Sequence, residues 1–243
     1  MIFIALILLI VLAIGVSVCK KRSGDPAENT GRTGAEGQKE QNANSDDAGE
    51  KVNAVEFPYK LEEGKISIDS VFQFTGFNPD NENMEGENIA ALTVVNQSEQ
   101  HLTFAQFTVK LADGAELAFE ITDLPAGQKA MIFEKENQIY ELDDVCREIT
   151  DTAEFEDASP VMADKLSVEV QETAVTLTNH SEEDLSNLLL HCHCVIDDAY
   201  FGGLTYTYPI ASIPAGQSAS VDAVDCYLGQ AAVVRVSQDS GEE

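Results

Sequence analysis

The chain has 243 residues, and its 14 Lys and Arg face 43 Asp and Glu, which gives a formal net charge of -29. A chain this acidic is repelled by phosphate backbones and by anionic lipid headgroups, so we expect no nucleic-acid binding and no phosphate ligand. The hydrophobic share of 44% can fill a folded core, which excludes disorder along the whole chain.

An apolar run opens the chain, and only Gly15 and Ser17 interrupt it before Cys19. A helix of this length spans about 27 Å, close to the thickness of bilayer hydrocarbon. We therefore predict that residues 1–19 form a transmembrane helix and make the membrane a partner. A cleaved signal peptide is the competing interpretation, but no basic region precedes the run and no small-residue cleavage motif follows it. A lipoprotein signal would need a small residue where Val18 precedes Cys19.

Residues 20–53 are predicted to be a disordered acidic linker that begins with the basic collar Lys20, Lys21 and Arg22. From residue 23 onward the segment has no Leu, Ile, Phe or Tyr, so it has nothing to bury. Its root-mean-square reach is on the order of 30 Å. The acidity lies mainly beyond it, because residues 54–243 contain 8 basic and 36 acidic residues. This imbalance favours a cationic partner for the folded part.

The rest of the chain contains an internal duplication. Three sequence pairs recur in the same order: KISID at 65–69 with KLSVE at 165–169, ALTVVNQSE at 91–99 with AVTLTNHSE at 174–182, and LPAGQKA at 124–130 with IPAGQSA at 213–219. We expect two copies of one module, at residues 55–158 and 160–240.

Each copy consists of short segments in which apolar and polar residues alternate, separated by Asn, Asp, Gly and Pro. This period of two predicts half-buried strands, and no segment has a long helical stripe. In the first copy we predict about six strands, around 66–71, 91–95, 104–111, 117–121, 130–133 and 145–149. The fold class is therefore all-β, with each copy a small antiparallel sandwich.

Three motifs carry a family resemblance. They are N-x-S after a strand (Asn96 to Ser98 and Asn179 to Ser181), VKLADG at 109–114, and the late turn [LI]-P-A-G-Q. Together they resemble the immunoglobulin-like FxLYD-type modules of Gram-positive envelope proteins, with Leu111, Ala112 and Asp113 where the family has its aromatic-Leu-Tyr-Asp signature. The resemblance implies two tandem immunoglobulin-like sandwiches outside the cell, without enzymatic activity and without a defined ligand.

The side of the membrane stays open at this point. The basic collar after the apolar run places the folded modules in the cytoplasm by the positive-inside rule, whose weight falls for large flanking domains. The family resemblance favours the extracellular side. We predict only that the protein crosses the cell membrane once.

The run His191, Cys192, His193, Cys194 contains the usual ligands of zinc. On a strand, however, the two cysteines face one side and the two histidines the other, so all four cannot reach one ion. At the duplication offset, the cysteines align with the apolar Val109 and Leu111. We expect buried cysteines and solvent-facing histidines, with a surface metal site at the histidines as the minor alternative.

The five cysteines do not indicate a disulfide framework. Cys19 lies at the membrane boundary, and a bridge within the second copy would have no match in the first copy, where Cys146 is the only cysteine. A single bridge from Cys226 to Cys192 or Cys194 stays open, and it would favour an oxidising compartment.

The acidic loop at residues 78–88 departs from a calcium loop, since Met84 and the position of Gly86 break the ligand pattern. We expect this loop to be solvated. Asn96 and Asn179 satisfy the glycosylation pattern, but their equivalent places in the two copies favour turn formation. His101 and His180 are expected in turns or linkers.

The sequence has no nucleophile elbow, P-loop or dinucleotide-binding pattern, and no Trp that could form a sugar platform. We therefore expect no enzyme, no catalytic residue, no cofactor and no metal ligand. The function we predict is a membrane-anchored, non-catalytic envelope protein whose acidic modules bind a protein or envelope partner. The alternative is a small-ligand or metal-ion binding module on the membrane surface.

Overall fold

The computed structural model describes residues 54–81, 84–157 and 161–238. The predicted transmembrane segment 1–19 and the predicted linker 20–53 lie outside these residues. In the described ranges the protein is all-β, and its longest helical segments are the 3-10 turns Glu62–Gly64 and Val224–Cys226. No helix of these ranges is long and apolar enough to cross a membrane.

Thirteen strands are found in the described ranges: β1 Tyr59–Leu61, β2 Ile66–Asn78, β3 Met84–Asn96, β4 His101–Leu111, β5 Glu116–Leu124, β6 Lys129–Phe133, β7 Cys146–Glu156, β8 Leu166–Gln171, β9 Ala174–Asn179, β10 Leu185–Ile196, β11 Ala199–Ile213, β12 Ser218–Asp222 and β13 Gln230–Gln238. The six strands predicted in the first copy are all present as β2 to β7, most of them longer than the alternation alone indicated. β1 was not predicted.

Alternation of side chains determines the buried face of each strand. In β4, for example, Ala105, Phe107 and Val109 are buried, while Gln106 and Lys110 between them are exposed. This is the pattern of a strand with one face on a core and the other toward water.

The strand pairing of residues 54–157, the first half, recurs in residues 161–238, the second half. In the first half, β3 pairs with β2 and β6, and β4 pairs with β5 and β7. In the second half, β9 pairs with β8 and β12, and β10 pairs with β11 and β13. All of these pairings are antiparallel, and the strands of each half enclose a separate cluster of buried apolar side chains. The architecture is therefore sandwich-like in both halves.

The N-x-S motif forms a hydrogen-bonded turn at the end of β3. The Asn96 Nδ2 donates to the carbonyl oxygens of Gln100 (2.8 Å) and Leu124 (3.0 Å), and its Oδ1 accepts from the Ser98 N–H (3.1 Å). The side chain ties together the turn after β3 and the end of β5.

The same hydrogen bonds recur at the end of β9. The Asn179 Nδ2 donates to the carbonyl oxygens of Glu183 (2.7 Å) and Ile213 (2.9 Å), and its Oδ1 accepts from the Ser181 N–H (2.9 Å). Both asparagines are fully buried, and both amide hydrogens of each are used. The interpretation as turn residues is confirmed, and neither side chain is available to carry a glycan.

The two halves share one sheet, which the sequence did not predict. A short parallel pairing of β6 with β11 joins Ala130 to Tyr200 and Met131 to Phe201. It produces a seven-stranded sheet in the order β1-β2-β3-β6-β11-β10-β13, flanked by the three-stranded sheets β5-β4-β7 and β12-β9-β8. The described residues accordingly lie in one compact unit.

A cluster of aromatic rings packs beside this pairing. Phe74 of β2 and Phe133 of β6 lie 4.7 Å apart between ring centroids, and Phe201 of β11 lies 5.2 Å from Phe133 in an edge-on arrangement. Tilted and edge-on contacts of this kind are the favourable geometry for aromatic pairs. The junction of the two halves is thus an apolar contact as well as a sheet.

Candidate functional site at the junction of the two halves

Asp80 joins the turn between β2 and β3 to β11 of the second half. Its two carboxylate oxygens accept hydrogen bonds from the backbone N–H groups of Gly203 (2.7 Å) and Leu204 (3.0 Å). Burial raises the pKa of Asp80 to about 6, although these hydrogen bonds act to lower it. The prediction that the loop at residues 78–88 is solvated is therefore wrong for Asp80, while Met84 in the same loop is exposed.

Gly203 allows β11 to lie close against β5, at the point where its backbone N–H binds Asp80. A Cβ at this position would meet the backbone carbonyl oxygen of Glu120, in β5 of the first half. Only a residue without a side chain fits at this contact between β5 and β11.

His193 lies in the same junction and is fully buried. Its Nε2 is 2.7 Å from the carbonyl oxygen of Thr122 in β5. A carbonyl only accepts, so Nε2 carries the hydrogen, and the buried Nδ1 has no hydrogen-bond partner in the described part of the chain. Burial lowers the pKa of His193 to about 4, and the ring stacks on Tyr200 at 5.0 Å.

The expectation that both histidines face solvent is wrong for His193, because β5 of the first half covers this end of β10. His191 is half-buried, and its two ring nitrogens contact the hydroxyls of Thr207 (3.1 Å) and Ser237 (3.2 Å). Burial also lowers the pKa of His191. The two histidines thus bind separate protein groups. Within the described ranges, no cluster of three or more His, Cys, Asp or Glu side chains is arranged to hold a metal ion.

The cysteines of the motif occupy the core, as predicted. Cys192 and Cys194 are buried in the apolar cluster of the second half together with Cys226. Cys146 is buried in the first half, where its sulfur is 3.7 Å from the Tyr140 hydroxyl. These four thiols are free, and Cys19 lies outside the described residues.

An ion network also crosses the junction. The Arg235 Nε of β13 donates to the Asp123 Oδ1 at 2.7 Å, and its Nη2 donates to the Glu156 Oε2 at 3.2 Å. The His101 Nε2 lies 3.0 Å from the same Asp123 oxygen. Burial acts to raise the pKa of Asp123, but the hydrogen bonds from His101 and Arg235 outweigh it and lower that pKa.

Sequence reasoning missed this network. His101 was expected in a turn or linker, but it is the first residue of β4 and is buried. The sequence does contain one indication that Arg235 has a partner. It stands between Val234 and Val236 on an apolar strand, and the second copy has only one other basic residue. An isolated charge in such a strand indicates a partner from elsewhere in the fold.

Exposed carboxylates line the outer side of β7, the edge strand of its sheet. The outward side chains of this strand, which we call the β7 face, are Glu148, Thr150, Thr152, Glu154 and Glu156. Two of the three glutamates have a basic neighbour: Lys110 lies opposite Glu148 on β4, and Arg235 binds Glu156. The residue opposite Glu154 on β4 is Phe104. The β7 face therefore combines three carboxylates with two hydroxyls, beside the half-buried Phe104 of β4.

A shallow cleft of about 210 Å³ lies where the turn before β6 meets the hairpin of β10 and β11. It is lined by Gln128, Val195, Asp198, Ala199, Tyr200 and Ala232. Asp198 and its neighbour Asp197 both have positive φ (62° and 49°), as the tight two-residue hairpin turn requires.

No protein-family model matches the chain, and no curated protein does either. The resemblance to FxLYD-type modules stays a prediction that depends on the three motifs.

Proposed function

We propose that this chain is a membrane-anchored, non-catalytic envelope protein. Two immunoglobulin-like sandwiches present an acidic surface to a cationic protein or envelope partner, and residues 1–19 hold them at the cell membrane. The recurring strand pairing and the recurring Asn turns support two copies of one module.

The observation that carries the proposal is the charge of the folded part. Residues 54–243 contain 36 acidic and 8 basic residues, and two of those basic side chains, Lys135 and Arg235, form ion pairs within the fold. The exposed carboxylates of the β7 face are concentrated on one strand. The negative electrostatic potential of these carboxylates favours the encounter with a positively charged partner.

The buried polar groups of the junction support a structural role rather than a catalytic one. The Asp123 carboxylate is engaged by both His101 and Arg235, and the His193 Nε2 is engaged by a backbone carbonyl. A general base needs a free nitrogen or carboxylate within reach of substrate, and the unpartnered His193 Nδ1 is fully buried. Here these groups join the two halves.

Charge reversal on the β7 face tests the proposed surface, with a short polylysine peptide as the probe. We expect Glu148→Lys combined with Glu154→Lys to weaken binding about tenfold at low salt. The matched control, Glu169→Lys combined with Glu182→Lys, changes the net charge equally at exposed positions of the second half. An equal loss in both variants would mean that binding follows net charge alone and would overturn the β7 face as the binding surface.

The side of the membrane can be measured at Leu142, whose side chain is 89% exposed. Cys146 and Cys226 are buried, so they are poor targets for labelling. A membrane-impermeant maleimide should label Leu142→Cys in intact cells if the folded part is outside the cell. Labelling only after permeabilisation would place it in the cytoplasm, as the basic collar favours.

A second candidate function is a small-ligand or metal-ion binding module, favoured by the cleft at Gln128, Asp198 and Tyr200. One carboxylate beside an aromatic ring suits a small cation. A thermal-shift series with Ca²⁺, Zn²⁺ and EDTA tests it. A rise in Tm that Asp198→Asn abolishes would support this candidate, and the absence of any shift at millimolar ion would remove it.

A further inference from the structure

Two cysteines meet in the core of the second half. Cys194 lies near the end of β10, and Cys226 is the last residue of the 3-10 turn 224–226. The Cys194 thiol donates a hydrogen bond to the Cys226 backbone carbonyl oxygen across 3.9 Å. Two separate segments of the chain thus bring Cys194 against Cys226.

The contact makes the two thiols unequal. The interaction between the two thiols lowers the pKa of Cys194, and the same interaction together with burial raises the pKa of Cys226. A thiolate rather than a thiol attacks a disulfide, so Cys194 is the better nucleophile of the two.

Cys192 faces the same core two residues earlier on β10, but its environment differs. Burial among apolar side chains raises the pKa of Cys192 to about 12. This thiol stays protonated near neutral pH, and buried thiols of this kind are inert. Position alone would allow Cys226 to pair with either cysteine, whereas the contact geometry selects Cys194.

We propose that Cys194 and Cys226 form an oxidisable pair that closes to a disulfide by exchange with a disulfide of another molecule. The inference is independent of the proposed binding function, because it depends on neither the partner nor the β7 face.

The reaction proceeds in two exchange steps. The Cys194 thiolate attacks one sulfur of the oxidant disulfide and releases the other as a thiolate, which leaves a mixed disulfide on Cys194. The Cys226 thiol then loses its proton and attacks the Cys194 sulfur, which releases the second thiol of the oxidant. Cys194 and Cys226 are oxidised together, and one disulfide is reduced to two thiols.

The position of Cys226 provides a route for the oxidant. The 3-10 turn and the residues after it lie at the surface, where Val224, Tyr227 and Leu228 are exposed by 59%, 58% and 41%. The turn is only three residues long, so local opening can bring the two sulfurs into reach without unfolding the sheet.

Peptide mapping of the oxidised full-length chain tests the proposal. The protein is incubated with oxidised glutathione, unfolded, alkylated and digested without reduction. We expect a crosslinked peptide pair that contains Cys194 and Cys226, with Cys192 and Cys146 recovered in alkylated form. A crosslink between Cys192 and Cys226, or full alkylation of all four cysteines, would overturn the proposal.

Single substitutions test the order of the two steps. Cys226→Ser should accumulate one glutathione on Cys194, because the second step is then impossible. Cys194→Ser should carry no glutathione on Cys226, and the control Cys192→Ser should form the bridge as the unsubstituted protein does. Glutathione on Cys226 in the Cys194→Ser variant would contradict the assignment of Cys194 as the attacking thiol. The unsubstituted chain decides the pairing even if a variant fails to fold.

Discussion

Two titratable side chains at the junction, the fully buried His193 and the half-buried Asp80, respond to pH in opposite directions. The pKa of His193 is lowered to about 4, so its contribution to stability is present above the unfolded value of 6.5 and is lost as the pH falls toward 4. The pKa of Asp80 is raised to about 6, so its contribution is present below the unfolded value of 3.8 and is lost as the pH rises through 6. Between pH 4 and 6.5 the two contributions oppose each other, each of about 3 kcal/mol.

In Asp80→Asn the pH dependence of stability that His193 contributes should no longer be offset by Asp80. Relative to the unsubstituted protein, the variant should lose about 2 kcal/mol more stability between pH 6.5 and pH 4, because the gain from protonating Asp80 is gone. His193→Gln should show the reverse, a relative gain toward acid. Urea unfolding at several pH values measures both. The difference between variant and unsubstituted protein is the readout, since other carboxylates titrate in both. A pH-independent difference would refute the burial of these groups.

The residue scale is also where sequence reasoning reached its limit. Alternation along β10 correctly placed Cys192 and Cys194 in the core, because that face is filled by the strand's own half. The same alternation predicted an exposed His193, because it carries no information about a second sheet packed on the outer face. The partial burial of Asp80 and the partners of Arg235 depend on residues 79 to 124 positions away. Such contacts leave no periodic signal.

At the scale of elements, the Asn turns explain why both copies keep the motif N-x-S and the later P-A-G-Q. In each half the Asn side chain donates to two carbonyl oxygens and accepts from the Ser backbone N–H. The backbone carbonyl oxygen of the same Asn accepts a hydrogen bond from the glycine N–H of the second motif. The two motifs are thus one structural unit, although about 30 residues separate them in the sequence.

Asn96→Asp and Asn179→Asp keep the size and the acceptor oxygen but remove both donated hydrogens. Each should destabilise the protein by roughly 2–4 kcal/mol, because one buried and one partly buried carbonyl oxygen lose their partners and a carboxylate enters a buried site. Chemical denaturation measures the loss, and the exposed neighbour substitution Gln97→Ala should cost less than about 0.5 kcal/mol. A small effect at either asparagine would mean that its turn is not structurally essential.

At the scale of the molecule, two copies of one strand pattern are joined into a single unit. The parallel pairing of β6 with β11, the Asp80 contact, the His193 contact and the Arg235 network all cross the same junction. A flexible tandem of separate modules would lack such contacts. The acidic β7 face is therefore held in a defined orientation relative to the second half.

Hydrogen exchange measured along a urea denaturation curve shows whether the two halves unfold as one unit. Peptides from β4 report the first half, and peptides from β10 report the second. If the halves are one cooperative unit, both peptides should lose protection at the same urea concentration, and Asp80→Ala combined with Arg235→Ala should separate or lower these midpoints. Two clearly different midpoints in the unsubstituted protein would contradict the account.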